Sequence, residues 1–439
     1  MPDTRPYTRQ EIVDGFNPQA EVSRADSFDL QRFGFLPGVS AARWAPALAL
    51  SADDASFELG GALRASYRIP DTFRTGPDIR FEGSIGPASF FATHRLTYAY
   101  NWPDTVFDAK SWRGDERPVF AEIPDARLDF DFNWLHLQAG RSQLHLGPVP
   151  AGGLFLSTEP WGLDHAAYSL KWKGVRFTSL FAWLQSDKRM VVHRFEYVAP
   201  RWKLGFSEAV VSSDTNDILP YLFAPAAFYY FMQWNKRQDE NILWGVDASV
   251  IFPPVRFYTE LLVDDFAYEP ATGPNKIGGT IGGEWVSILS SEVNLRADYT
   301  AISKWTYAQR DSAQNYTFRG CILGDDLGPD ADRSRLTVSW RIIPRISIEG
   351  LFFYECHGDG DVWHDFADDG AHDRETYHPP FPSGIVEHHL GIEGEVKLRL
   401  VGRSFLSFIA RAEQISNLDH QEGSEEFRAV IQTDLYWEF

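Results

Sequence analysis

The densest chemistry in the chain lies in "HGDGDVWHDFADDGAHDRETYH", which sets Asp359, Asp361, Asp365, Asp368, Asp369, Asp373 and Glu375 beside His357, His364, His372 and His378. Carboxylates at this density are hard oxygen ligands of the kind that hold calcium or another divalent cation. Asp359, Asp361, Asp365, Asp368 and Asp369 form the candidate metal set. The spacing departs from an EF-hand, because Trp363 stands where a third acidic or amide ligand belongs. A closed zinc site needs His and Cys ligands at characteristic spacings, and no His pair here has them with cysteine support. A hydrated acidic loop with no resident ion is the simpler reading. "LGDDLGPDAD" repeats the theme with Asp325, Asp326, Asp330 and Asp332 among glycine-proline turns, and "VDDF" places Asp264 and Asp265 where a strand gives way to a loop.

Catalytic signatures are missing from the sequence: it contains no G-x-S-x-G elbow, H-E-x-x-H or P-loop. Asp164-His165 and Asp419-His420 are adjacent pairs, and neighbours in an extended chain point opposite ways, so loop polarity explains them better than a catalytic dyad. The remaining chemistry is that of sugar recognition. Aromatic faces stack on pyranose rings while guanidinium and carboxylate groups hold hydroxyls or uronates. Trp161, Tyr229, Tyr230, Trp234, Trp305, Trp363 and Tyr377 are the aromatics outside the strand pattern that could do this, and packing or a membrane-interface belt is the competing role for each. Cys321 and Cys356 are the only cysteines, and in an exported chain they are candidates for a disulfide.

Strict alternation identifies the elements that must carry these groups. "FELGGALRASYRI" turns Phe57 and Leu63 to one side and Arg64 to the other. "SEVNLRADYTA" sets Val293 and Leu295 against Arg296 and Asp298, and "VEHHLGIEGEVKLRL" sets Leu398 against Glu393, Lys397 and Arg399. The chain finishes "AVIQTDLYWEF", with Leu435, Trp437 and Phe439 on one face. Charges at every second residue cannot fill a dry core, so one face must line water or a network of ion pairs. No apolar run approaches the roughly 18 to 20 residues of a membrane helix. High aromatic content with no hydrophobic window is the composition of a transmembrane β-barrel, whose strands alternate lipid-facing and lumen-facing residues.

Tight turns are expected near Gly86-Pro87, Asn133, Gly174, Pro200, Pro253-Pro254, Leu289, Pro344 and Val401-Gly402, alternating with long links that include one from Pro70 to Asp78. The aromatic stretch Ile218 to Arg237 does not alternate, and counting it as loop restores an even number of strands. The expectation is therefore an all-β chain: an antiparallel barrel of eighteen strands over residues 51–439, with occluding external loops. Residues 1–50 are expected to form a periplasmic arm with a short helix, and a plug inside the barrel is the less favoured reading. Ile218 to Arg237 is expected to fold into or across the external mouth. Both termini would be periplasmic, the location the bacterial outer membrane, and Met1 the start of a mature form, because "PDTRPYTRQE" has no apolar signal core.

The residues "RPYTRQEI", "AGRSQLHLGP" followed by "GLFLSTEPWG", "YTELLVDDF" and "LGDDLGPDADRSRLTVSW" together resemble the capsule-assembly outer-membrane proteins of the Wzi type, in order across most of the chain. That resemblance implies an eighteen-stranded barrel with a lumen occluded by loops, acting as a surface lectin for capsular polysaccharide and not as an enzyme. The N-terminal part looks too short for the periplasmic helical bundle some members carry. Expected partners are outer-membrane lipid and lipopolysaccharide, surface polysaccharide, and the barrel-assembly machinery through the C-terminal strand. The two acidic loops could share divalent cations with lipopolysaccharide or an anionic glycan. A net charge of -20 argues against nucleic acid. A porin or substrate channel is the alternative, since eighteen strands leave room for an aqueous pore.

Overall fold

A computed structural model describes residues 4–5, 48–52, 55–69, 72–100, 119–150, 152–158, 162–213, 218–224, 227–236, 240–267, 273–288, 292–402 and 404–439. The chain forms a closed antiparallel barrel in which each strand pairs with the next in sequence. Its first strands are β1 (Ala55–Arg68), β2 (Thr72–Ile85), β3 (Ala88–Tyr100), β4 (Val119–Asp131), β5 (Leu135–Ser142) and β6 (Leu163–Trp172). β7 (Val175–Trp183), β8 (Arg189–Val198), β9 (Trp202–Ser212), β10 (Asn241–Phe252), β11 (Val255–Asp265) and β12 (Lys276–Ile288) continue the wall. β13 (Val293–Ile302), β14 (Ala331–Ile343), β15 (Ile346–His357), β16 (Glu387–Arg399), β17 (Phe405–Ser416) and β18 (Glu425–Glu438) complete the eighteen. Closure comes from β18 on β1, where Trp437 lies opposite Leu63, and the Phe439 and Gly61 backbones exchange hydrogen bonds of 2.8 and 3.1 Å. An extra strand, Leu48–Ala52, pairs with Ala55–Leu59 and continues the line of β18 beyond the last residue.

Connections at one rim are tight and fall at all eight of the expected positions. The opposite rim carries the long loops. One expected long link is short: β2 begins at Thr72, so β1 and β2 are joined by residues 69–71. Gly76 and Pro77, which fall in that expected link, lie within β2, with Pro77 opposite Leu63. A Cβ at Gly76 would sit 1.8 Å from the Leu96 carbonyl oxygen, so only glycine permits this approach of β2 to β3.

Alternation decides the two faces as expected. Leu63 and Trp437 are exposed on the outer wall, while Arg64 Nε donates to Asp78 at 2.8 Å inside, where Arg95 also reaches Asp78. Phe57 shares the outer parity of Leu63, Val293 and Leu295 that of the exposed Tyr299, Leu398 that of Val396, and Leu435 that of Trp437. On the inner face Arg335 donates to Asp298 at 2.7 Å, beside Arg296, and Lys397 pairs with Glu395. Arg194 is clamped between Asp247 at 2.6 Å and Glu196 at 3.2 Å. The charges that cannot lie in a dry core are thus paired across strands within the lumen.

The main apolar core lies inside the barrel. Leu180, Val192, Ala209 and Leu243 of the wall pack against Leu154, Leu156, Tyr307 and Tyr316, which belong to loops folded inward from the long-loop rim. His145–Leu146 pairs with Leu156–Ser157 inside this core, and Thr4–Arg5 adds as a third strand. Most of the expected arm at residues 1–50 lies outside the described residues.

The aromatic segment is not at the mouth. It forms α1 (Leu219–Leu222) and α2 (Tyr229–Lys236), which lie on the outer wall. Phe181, Val191 and Val210 alternate with the lumen residues Leu180, Val192 and Ala209, so they point outward, and there they are buried against Ile218, Tyr221 and Tyr229. The reason is a row of polar residues in the outward register. Ser179, His193 and Glu208 face one another across β7, β8 and β9 and would meet hydrocarbon if uncovered. The helices cover all three and bond two of them: Ser179 Oγ donates to the Leu222 carbonyl, Glu208 accepts from Tyr229 N at 2.8 Å as well as from Trp244 Nε1 on β10, and the His193 ring packs on Tyr229 at 4.7 Å between centres.

Candidate functional site

Three inward loops, residues 143–162, 303–330 and 358–386, meet at the long-loop rim. Each is tied down by buried polar groups. Glu260 of β11 accepts from Leu154 N at 2.8 Å, and Asp264 accepts from Tyr307 N at 2.7 Å, so wall carboxylates anchor the first two loops. Tyr307 and Tyr316 donate their hydroxyls to the Leu154 and Phe155 carbonyls at 2.7 Å. Lys188 donates to the Asn315 carbonyl from the neighbouring loop, and burial depresses this lysine to a pKa of about 8. Asp330 is the junction of the second and third loops, accepting from Gly360 N and from Ser383 N and Oγ.

Between these loops opens a cavity of about 690 Å3, lined among others by Trp363, Asp361, Asp326, Arg335, His357 and Cys321. The volume is that of a small-molecule or oligosaccharide-unit site. Trp363 is half exposed there, and its backbone is set locally: Asp361 Oδ1 accepts from Trp363 N at 2.7 Å and from His364 N at 2.9 Å, an Asx turn at the base of the side chain. The hydrogen bond from His364 to Asp361 also raises the imidazole's pKa above its ordinary value. On the opposite lip Arg333 holds Asp325 at 2.7 Å and Asp326 at 3.0 Å. Desolvation pushes Asp326 upward, but the charge and hydrogen bond of Arg333 outweigh it and leave this carboxyl below its usual range. Glycines at 152, 320, 324, 328 and 360 keep the walls low. A Cβ on Gly324 would come within 2.4 Å of the Leu154 carbonyl.

The candidate glycan aromatics separate. Trp363 lines the cavity. Trp305 is buried, donating from Nε1 to Asp369 at 2.8 Å and packing edge-on against Phe366, which in turn meets Tyr377, so these rings hold the second loop to the third. Tyr229, Tyr230 and Trp234 are on the outer wall with α2, and Trp161 lies outside the described residues. The candidate metal aspartates also separate, because the protein supplies their counter-charges. Asp359 takes Lys304 at 2.7 Å, and Asp365 takes Lys276 at 3.1 Å. Asp369 accepts from Trp305, Asp361 from the Asx turn, and Asp368 from Asp365 N. Desolvation raises Asp359, but hydrogen bonds from Lys304 and Ser383 prevail and hold it below the usual range. Among the described residues no three His, Cys, Asp or Glu side chains converge as metal ligands.

The two cysteines are free thiols. Cys321 lines the cavity, whereas Cys356 alternates with the inward-facing Glu355 and so points outward from β15, with Sγ 3.4 Å from His388 Nδ1. The barrel wall separates them, which corrects the expected disulfide. Sequence reading also passed over Arg333 and Arg335. Their signal was available in "DADRSRL", where two arginines spaced by two must share a face beside an acidic turn.

Arg333→Ala should destabilise the folded barrel by about 3–5 kcal/mol, because it leaves Asp325 buried without its counter-charge. Urea unfolding in lipid vesicles measures this. Pairing the change with Asp325→Leu should recover most of the loss, and a double variant as unstable as the single one would show the ion pair is not the cause.

No protein-family model and no curated protein sequence matches the chain. Solved structures do. One is from Escherichia coli, described as an outer-membrane protein involved in group 1 capsule assembly and a carbohydrate-binding β-barrel; it is 12% identical, with a TM-score of 0.65 over 100% of this chain and 93% of that one. The fold is that of Wzi. The outer-membrane protein OprD and OccD3, both of Pseudomonas aeruginosa, also match, with TM-scores of 0.51 for both OprD (9% identity, 87% of this chain and 95% of that one) and OccD3 (12%, 90% and 93%). The Wzi resemblance expected from the motifs is thus matched at the level of the barrel, and the chain has the architecture of bacterial outer-membrane proteins.

Proposed function

We propose that the chain binds or attaches cell-surface polysaccharide at the long-loop rim, with that rim outside the cell and both termini in the periplasm. The observation that carries this reading is that the loops bury an apolar core inside the lumen yet leave a polar cavity open at the rim, with Trp363 in its lining. An indole flanked by Asp326, Asp361 and Arg335 offers a stacking face with acceptors and a donor, the groups a sugar ring needs. The Wzi structure's carbohydrate binding supports the substrate class. Lipid and lipopolysaccharide contact the outer wall, and β18, which closes the barrel, is the segment the assembly machinery would receive.

The test is binding of purified capsular and exopolysaccharides to the barrel in detergent. Trp363→Ala should weaken binding roughly tenfold, the effect of removing one well-buried aromatic contact. Equal binding by the variant would remove this cavity from the proposal. The channel reading rests on the OprD-like architecture and on the charged lumen face of β1–β3, where Arg64, Asp78 and Arg95 meet. Large, stable single-channel conductance with no glycan affinity would favour it.

A further inference from the structure

We propose that the helical flap formed by residues 218–236 is an in-plane membrane element, and that its outer side is occupied by the acyl chains of the leaflet at the long-loop rim. The flap has two sides. Its inner side is buried on Phe181, Val191 and Val210 and bonded to the polar row beneath, so it is part of the wall. Its outer side presents Phe223 at 71%, Phe231 at 60% and Trp234 at 67% exposure, with Phe228 also exposed. Water-facing surfaces rarely collect so many large aromatics in one patch.

Continuity with the wall identifies the occupant. Phe228 meets Phe206 of β9 at 6.1 Å between ring centres, and Tyr230 meets Trp244 of β10 at the same separation. Leu204, Val246 and Leu261 extend the exposed apolar surface around strands β9–β11 toward the tight-turn rim. The occupant of that belt in a transmembrane barrel is lipid, and the flap extends the same surface outward over a part of the wall that lipid cannot touch. Lipid therefore meets the flap where, on an uncovered barrel, it would meet Ser179, His193 and Glu208.

The test uses the full chain with Cys321→Ser and Cys356→Ser, carrying either Phe231→Cys or Trp363→Cys labelled with bimane, in dioleoyl- or dibromo-phosphatidylcholine vesicles. The label at 231 should lose roughly half its fluorescence to brominated acyl chains and resist aqueous iodide, while the label at 363 should show the reverse. Iodide quenching at 231 equal to that at 363 would place the flap in water. Resistance to both quenchers at 231 would mean that a protein surface, such as a second copy of the chain, covers it. Either outcome overturns the proposal, and neither depends on glycan binding or on which rim is outside the cell.

Discussion

Deleting Trp437, Glu438 and Phe439 should abolish barrel assembly, with little heat-modifiable, folded protein recovered. β18 meets β1 over a short seam: the register runs from Gln432 opposite Arg68 to Glu438 opposite Ala62, with Phe439 bonded to Gly61 beyond it. The deletion removes the end of that seam and strands the backbone groups of Gly61 to Leu63, which then face lipid with no partner, at a cost of several kcal/mol for each group. Side chains add to the loss. The Phe439 ring covers Gly61, where even an added Cβ would lie 2.7 Å from it, and Glu438 holds Arg80 at 3.1 Å inside. The flanking strand Leu48–Ala52 cannot compensate, because its register occupies Ala55–Leu59 and stops short of the gap. Recovery of the truncated chain in vesicles at the native yield, with native heat-modifiability, would falsify this account of closure.

Much of the barrel was legible because strand alternation has a period of two and a fixed consequence: an outward lipid-facing residue implies an inward neighbour. Arg64 beside Leu63, and Asp298 beside Tyr299, could be assigned to their faces without any structure. Tight turns were legible for a similar local reason, since Gly174 and Gly402 adopt positive φ and Pro254 follows Pro253 at a reversal. The false long link at Pro70 to Asp78 arose where this local rule fails, because Gly76 and Pro77 sit within a strand.

Loops obey no such period. Nothing in the spacing of Tyr307 or Tyr316 says that their hydroxyls will reach the Leu154 and Phe155 carbonyls far away in sequence. The acidic residues were visible as a class, yet whether each aspartate faces a metal or a lysine depends on loops brought together by the fold, as Lys304 is to Asp359 and Lys276 to Asp365. The flap did leave a trace. In "WKLGFSEAVVS" the outward register reads Trp202, Leu204, Phe206, Glu208 and Val210, and a glutamate in a lipid-facing row requires a cover.

Moving the aromatic segment from the mouth to the outer wall changes what its removal should do. Replacing residues 218–236 by a short polar linker should leave conductance in planar bilayers unchanged, because these helices lie on the outward face of β6–β10. The variant should instead fold in lower yield, since Glu208 and Ser179 would then face lipid, at a cost smaller than the about 2–4 kcal/mol of an Arg or Lys at mid-depth and smaller still toward the rim. Replacing residues 304–329 by a short turn should do the opposite. Ile302 and Ala331 are already paired across β13 and β14, so the wall can stay closed without the loop. What disappears is the material inside: Tyr307, Tyr316, Leu323 and Leu327 leave the lumen core, Asp264 loses its bond to the Tyr307 backbone, and the cavity loses one side. An eighteen-stranded wall is wide enough for a water-filled channel once its interior is vacated. Conductance should therefore rise toward that of open porins while polysaccharide binding falls, two readouts that a merely misfolded protein cannot give together. If removal of the flap opens the channel and removal of residues 304–329 does not, the assignment of the two segments to the outside and inside of the wall is reversed.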